Sequence, residues 1–273
     1  MNLNHEKLQF FGIYEILKET ITLIFTPTTI FAQIALAFIL PLSLLIFTQS
    51  THSPPFNSLR SFFSAIFFFL STSTAVYAAA CIHADHDVSF RQVIAAAPKV
   101  CKRHFITFLC LLADFLAFNF FAVSAILLIF VISFLLNYER FEIFKAALIL
   151  FLSAAAVYFA LIWQIASVVS VFETEAYGFE AIARSKELIE GKMAIGLILL
   201  ALIGSPFGLI LFVIRYCVES ALVREGILGI VWMCSFVMFL LIGTVLYLVC
   251  KSYHCERIDE SALCDCLRGY LPV

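Results

Sequence analysis

Residues Ala194–Ile214 read AIGLILLALIGSPFGLILFVI. The stretch holds no charge, and its only hydroxyl is Ser205. A helix needs ~20 mostly apolar residues to cross the hydrocarbon core of a bilayer, and this run supplies them. Lipid offers no hydrogen bonds, so a spanning backbone must pair within itself, as a helix or as a closed barrel. Barrel strands alternate apolar and polar residues over ~10 positions. This run is continuous, so it reads as a helix.

Five further stretches have the same character: Thr28–Thr48, Ser61–Ile82, Ile106–Leu136, Phe144–Phe172 and Leu228–Cys250. The third and fourth spans exceed the need; tilt and extension beyond the hydrocarbon both account for that. Of the 273 residues, 63% are hydrophobic and 13% charged, against about 25% charged in an ordinary soluble domain. So much apolar surface cannot be hidden in one small core. Disorder is excluded on the same ground. A net charge of −2 without a basic block excludes a nucleic-acid binder. The expected fold class is all-α: a polytopic membrane helix bundle forming one integral membrane domain over 1–273. Its partner is the lipid bilayer, possible further partners are other membrane proteins, and the oligomeric state is open.

Lys and Arg in the flanks set the orientation. Lys7, Lys18, Arg91, Lys99, Lys102, Arg103, Arg184, Lys186, Lys192, Lys251, Arg257 and Arg268 fall on one side. Arg60, Arg140, Lys145, Arg215 and Arg224 fall on the other. Twelve against five places both termini in the cytosol, with 251–273 a short cytosolic tail. Residues 1–27 show no cleavable leader pattern.

Each cytosolic segment reads as an amphipathic helix at the membrane surface. Phe10, Ile13, Leu17, Ile21 and Ile24 share one face of the first, opposite Glu15, Lys18, Glu19 and Thr22. Phe90, Val93, Ile94, Ala97 and Cys101 share a face of the second, where Pro98 predicts a kink or a fresh start. Phe179, Ile182, Ala183 and Ile189 share a face of the third, and Lys186 within it must snorkel. The chain then reads as three units of one interfacial helix and two spans. The plainer alternative is mixed juxtamembrane polarity without a repeat.

Asp114 is the one formal charge well inside these spans, and an intramembrane acid is a functional candidate by default. Gln164 lies at similar depth and Asn119 deeper, so the three make a candidate polar cluster between spans three and four. The competing reading is helix pairing by hydrogen bonds. His83, Asp85, His86 and Asp87 match no established metal spacing. His254, Cys255, Cys264 and Cys266 depart from the C-x₂₋₄-C pairing of structural zinc. No metal and no cofactor is therefore assigned. A reducing cytosol argues against disulfides, and Cys250, Cys255, Cys264 and Cys266 are candidates for palmitoylation. Pro206 should kink span five. No Walker A, G-x-S-x-G or H-E-x-x-H motif is present, so no enzyme is expected.

Residues Ser170-Val171-Phe172-Glu173, Gly178-Phe179-Glu180-Ala181-Ile182, Arg184-Ser185-Lys186-Glu187-Leu188 and Gly191-Lys192, with Trp163, form one motif-like block. Tyr247, Cys250-Lys251-Ser252-Tyr253-His254, Ile258-Asp259, Leu263 and Gly269-Tyr270-Leu271 form a second. Together they resemble a plant family of six-span membrane proteins without an assigned function. More distantly, the first block is similar to the membrane domain of bacterial glycerophosphodiester phosphodiesterases. That domain is separate from their catalytic barrel, so the resemblance implies no phosphodiesterase activity. It implies a plant protein of an endomembrane or the plasma membrane.

The first block also has a physical reading. Gly178 suits a turn before a helix and Gly191 its stop. Arg184 is within reach of Glu173, or of Glu180 at i,i+4. Glu173, Gly178, Arg184, Ser185 and Gly191 are thus candidate loop contacts that fix span four to span five. The function expected is a non-enzymatic scaffold, organiser or accessory protein. The alternative is a transporter of small solutes or lipids with its polar site near Asp114.

Overall fold

The computed structural model describes residues 10–25, 28–47, 54–83, 89–135, 141–173 and 176–254. Every regular element among them is helical: α1 (Ile13–Phe25), α2 (Thr28–Ile34), α3 (Leu40–Phe47), α4 (Pro54–His83), α5 (Phe90–Leu135), α6 (Phe141–Phe172), α7 (Phe179–Ile189), α8 (Met193–Cys217) and α9 (Ala221–Tyr253). Six helical segments are long and apolar enough to span a membrane: Thr29–Phe47, Ser58–Ile82, Phe90–Leu128, Ala146–Phe172, Met193–Cys217 and Val223–Tyr253. The protein is an all-α polytopic bundle. With an even number of spans, α1 and α7 lie at the same end, here termed the basal end.

The first span is α2 and α3 joined by a π-helical turn, Ala35–Ile39. Pro41 explains it. A proline ring clashes with the carbonyl four residues earlier. Widening the turn, with the Leu40 N–H on the Ala35 carbonyl, relieves the crowding without breaking the helix.

The second and sixth spans form the centre of the bundle together with the basal half of the fourth, Leu161–Phe172, while the third, the fifth and the rest of the fourth lie outside. Small side chains let the centre close. Ala78, Ala79, Ala80, Ala96 and Ala166 are fully buried among Leu161, Ile165, Leu246 and Tyr247. Buried hydroxyls interrupt this core, and most bond backwards along their own helix. Thr72 donates to the Phe68 carbonyl (2.9 Å), Thr74 to Leu70 (2.6 Å), Ser167 to Gln164 (2.7 Å) and Thr244 to Leu240 (3.2 Å). Such local pairing satisfies a hydroxyl without water. Away from the basal end, α5, α6 and α8 leave large apolar side chains exposed, including Phe120, Phe121, Leu150 and Phe212. Phe118 against Phe151 and Phe159 zips the α5–α6 hairpin.

Two expectations are corrected. No separate interfacial helix precedes the third span: α5 runs unbroken through Pro98. The stripe Val93, Ala96, Ala97, Val100, His104 and Thr107 is buried along its whole length, so packing holds the helix across the proline. Only α1 and α7 stand as separate helices before their hairpins, and the three-unit repeat is incomplete. The buried face of α1 is also rotated. Ile16, Thr20 and Leu23 are buried, whereas Ile21 is exposed and Phe10 is 81% exposed. The helix borders three media rather than two. Ile13, Ile16, Thr20 and Leu23 face the bundle. Glu15, Lys18 and Thr22 form a polar side. Tyr14, Ile21 and Phe25 form a second apolar stripe, roughly 140° from the first at 3.6 residues per turn. A helix lying in the membrane interface against a bundle needs those three sides.

Candidate functional site

Glu173 is the acid on which the basal end converges. It follows the last residue of α6 and continues the helix, its N–H on the Val169 carbonyl at 2.9 Å. Its Oε1 accepts from the Tyr247 hydroxyl at 3.0 Å and from Lys251 Nζ at 3.0 Å. Its Oε2 lies 3.7 Å from Arg184 Nε. Its carbonyl accepts from Arg103 Nη2 at 2.5 Å. One residue therefore ties α5, α6, α7 and α9 together. The Glu173 side chain is 20% exposed and that of Lys251 18%, so neither is bathed in water. Lys251 also donates to the Tyr247 hydroxyl (3.2 Å), one turn back on α9.

The two glycines frame α7 as the sequence suggests. Gly178 has φ +65° and Gly191 φ +82°, conformations that L side chains rarely adopt. The Gly178 N–H donates to Thr107 Oγ1 at 2.9 Å and so pins the start of α7 to α5. At Gly191 a Cβ would lie 2.6 Å from the Tyr253 ring. Tyr253 thus closes over the glycine, with Lys192 Nζ 5.1 Å from its ring centroid. His254 Nε2 sits 3.2 Å from the Leu188 carbonyl and covers the end of α7. Ser185 is buried, its hydroxyl on the Ile182 carbonyl at 2.8 Å. Arg184 also meets Glu187, at 3.3 Å.

Asp114, Asn119 and Gln164 are not brought together. Lys186 of α7 reaches Asp114 Oδ2 at 3.4 Å, with the two side chains 45% and 41% exposed. The snorkelling lysine draws the acid into the interfacial layer. Asn119 donates to the Phe115 carbonyl of its own helix (2.7 Å). Gln164 faces the bundle centre and donates to the Phe239 carbonyl of α9 (2.6 Å). Exposed ion pairs contribute about 0–1 kcal/mol. Asp114→Asn is therefore expected to shift stability in detergent by less than about 1 kcal/mol, read as thermal unfolding by circular dichroism.

Cys250 is fully buried in α9, so its thiol is closed to palmitoylation in this fold. Cys255, Cys264, Cys266, Asp85, His86 and Asp87 lie outside the described residues. No group of three metal-ligating side chains occurs among the described residues. The Arg103 bond to the Glu173 carbonyl and the burial of His104 have no counterpart among the sequence expectations. The His104 imidazole is fully buried, edge-on to Phe69 at 5.8 Å.

These features define a multi-pass integral membrane protein whose basal loops are locked by one ion-pair centre. The chain belongs to the family described as Domain of unknown function (DUF8558), whose model matches residues 1–59 and 55–272. No curated protein and no solved structure matches it.

Proposed function

We propose that the protein is a non-enzymatic organiser of other membrane components, with the outward face of α7 as its contact surface. The carrying observation is the lock at Glu173. With the Gly178 N–H on Thr107 and His254 on the Leu188 carbonyl, it ties α7 to the spans while Phe179, Glu180, Ala183 and Lys186 stay exposed. A preformed surface of that kind lowers the ordering cost of binding. The transport reading draws less support, because the three polar side chains it rests on point to three different places. Cytosolic termini, and placement in an endomembrane or the plasma membrane of a plant cell, belong to the same proposal. They are supported by the bias of basic residues and by the resemblance of the two motif blocks. The likeness of the first block to a phosphodiesterase membrane domain stands with them.

Arg103 and Arg184 hold the fold, so reversing them reports on folding rather than on contact. Glu180 and Phe179 are the informative positions. A photo-crosslinking residue at Ala183 is expected to give a discrete protein adduct in intact membranes. Glu180→Lys and Phe179→Asp should reduce that adduct by about tenfold, the effect of losing ~1.4 kcal/mol at a contact. Adducts to lipid alone, or an adduct indifferent to both changes, would reject the reading.

A further inference from the structure

Between α8 and α9 the bundle leaves a cavity of about 330 Å³. Its lining includes Phe68, Trp163, Gly204, Trp232, Ser235 and Phe239. On each of α8 and α9 the lining residues cover about two turns, so the slot runs ~10 Å parallel to the helix axes. Its walls are flat. Trp163 stacks on Phe68 (5.5 Å between centroids, 14° between planes) and on Phe239 (6.1 Å, 21°). Trp232 stacks on Phe236 (4.9 Å, 8°).

We propose that this slot holds one acyl chain of a bilayer phospholipid. Water is a poor occupant, because a buried water needs two to four polar partners and this lining, apolar over nearly all its area, offers the Ser235 hydroxyl and the indole N–H groups of Trp163 and Trp232, with no acceptor side chain but Ser235. An empty slot of this size forfeits the dispersion contacts of every ring around it. The slot is continuous with the surface that meets the bilayer. Gly204 is exposed beside Leu202, and a Cβ on Gly204 would meet nothing within 4 Å. Depth and charge select the part of the lipid. Trp163 lies nine residues from the basal end of α6, ~13 Å along the axis, and Gly204 eleven from that of α8, ~16 Å. No lining residue is charged. A head group has nothing to bind there, whereas a chain lies at that depth and along that direction. This site is independent of the contact surface on α7, and the failure of either leaves the other standing.

The chain has two tryptophans, and both line the slot, so intrinsic emission reads it directly. The full-length protein is reconstituted in vesicles of phosphatidylcholine brominated at mid-chain, a collisional quencher. The reference carries its sole tryptophan at exposed Phe212, as Trp163→Phe/Trp232→Phe/Phe212→Trp. Quenching of the unaltered protein is expected to match or exceed that of the reference. Gly204→Phe, which fills the slot from its open side, should at least halve the quenching while circular dichroism stays unchanged. Native mass spectrometry should show one retained phospholipid per chain, lost in Gly204→Phe. Quenching of the unaltered protein well below the reference overturns the proposal, and this arm decides if Gly204→Phe does not fold. A folded Gly204→Phe with unchanged quenching also overturns it. So does quenching by a brominated sterol where the brominated phospholipid gives none, which would assign a rigid ring system instead.

Discussion

Glu173→Ala should be among the most destabilising single changes at the basal end, lowering stability by about 3 kcal/mol. The wild-type carboxylate holds Lys251 and the Tyr247 hydroxyl at 3.0 Å each and faces Arg184 at 3.7 Å. Deleting it leaves the Lys251 ammonium largely withdrawn from water, with no anion in its place. Breaking a buried pair from one side costs about 3–5 kcal/mol. The fifth of each side chain still exposed puts this case at the low end. At about 2–4 °C per kcal/mol for a chain of this size, the midpoint should fall by about 6–12 °C. Thermal unfolding in detergent, followed by circular dichroism, measures it. Glu173→Ala/Lys251→Met should recover part of the loss, because the stranded charge is then gone. The Arg103 contact separates charge from geometry, since it falls on the Glu173 carbonyl and survives both variants. A midpoint within 2 °C of wild type (~0.5–1 kcal/mol), or a double variant as unstable as both losses added, would refute the account.

The spans were legible because lipid imposes a rule that acts residue by residue: an apolar run long enough to cross has no other solution. The glycines flanking α7 were legible for the same local reason, and both have positive φ. Glu173 with Arg184 was legible as a pair within one loop, and the structure sets them 3.7 Å apart. Tyr247 and Lys251 were not, since more than seventy residues separate them from Glu173 and no local pattern announces the meeting. One signal was available. Tyr247 and Lys251 stand four apart on one helical face at the end of an apolar span, and such a pair seeks an acid at the same depth.

The polar cluster around Asp114 failed for a reason that arithmetic exposes. Asp114 and Asn119 are five residues apart, so their side chains leave the helix ~140° from each other. Depth alone brought them together on paper, and azimuth separates them in the fold. The rotated face of α1 has a related cause. A two-sided reading of amphipathy assigns every apolar residue to the core, whereas a helix at the rim of a bundle in a membrane has a lipid side as well. Tyr14, Ile21 and Phe25 belong to that side.

Gly243→Ala is expected to be destabilising although the same change in most helices is favourable. Replacing glycine by alanine in a helix interior ordinarily gains about 0.5–1 kcal/mol. Here a Cβ would lie 2.5 Å from Gln164 Cγ, 2.9 Å from its Nε2 and 3.0 Å from its Cδ. The glycine is the opening through which Gln164 reaches the α9 backbone, where its amide donates to the Phe239 carbonyl one turn back. Alanine expels that amide from a position where Gln164 is 2% exposed. Overpacking costs about 1–3 kcal/mol, and a buried amide left unpaired about 1–3 kcal/mol more. Against a gain of up to about 1 kcal/mol, the net should be a loss of about 1–5 kcal/mol. The clash is with Cγ and Cδ near the backbone rather than with a free side-chain tip, so no rotation of the amide alone removes it. Gln164→Ala alone should cost less, since both the donor and its need for a partner disappear together. The double variant Gly243→Ala/Gln164→Ala should be more stable than Gly243→Ala, the new methyl occupying space that Gln164 Cγ vacates. Midpoints of the four proteins in one detergent give the coupling directly. A Gly243→Ala midpoint at or above wild type, or strict additivity around the cycle, would show that spans four and six are not keyed together through this opening.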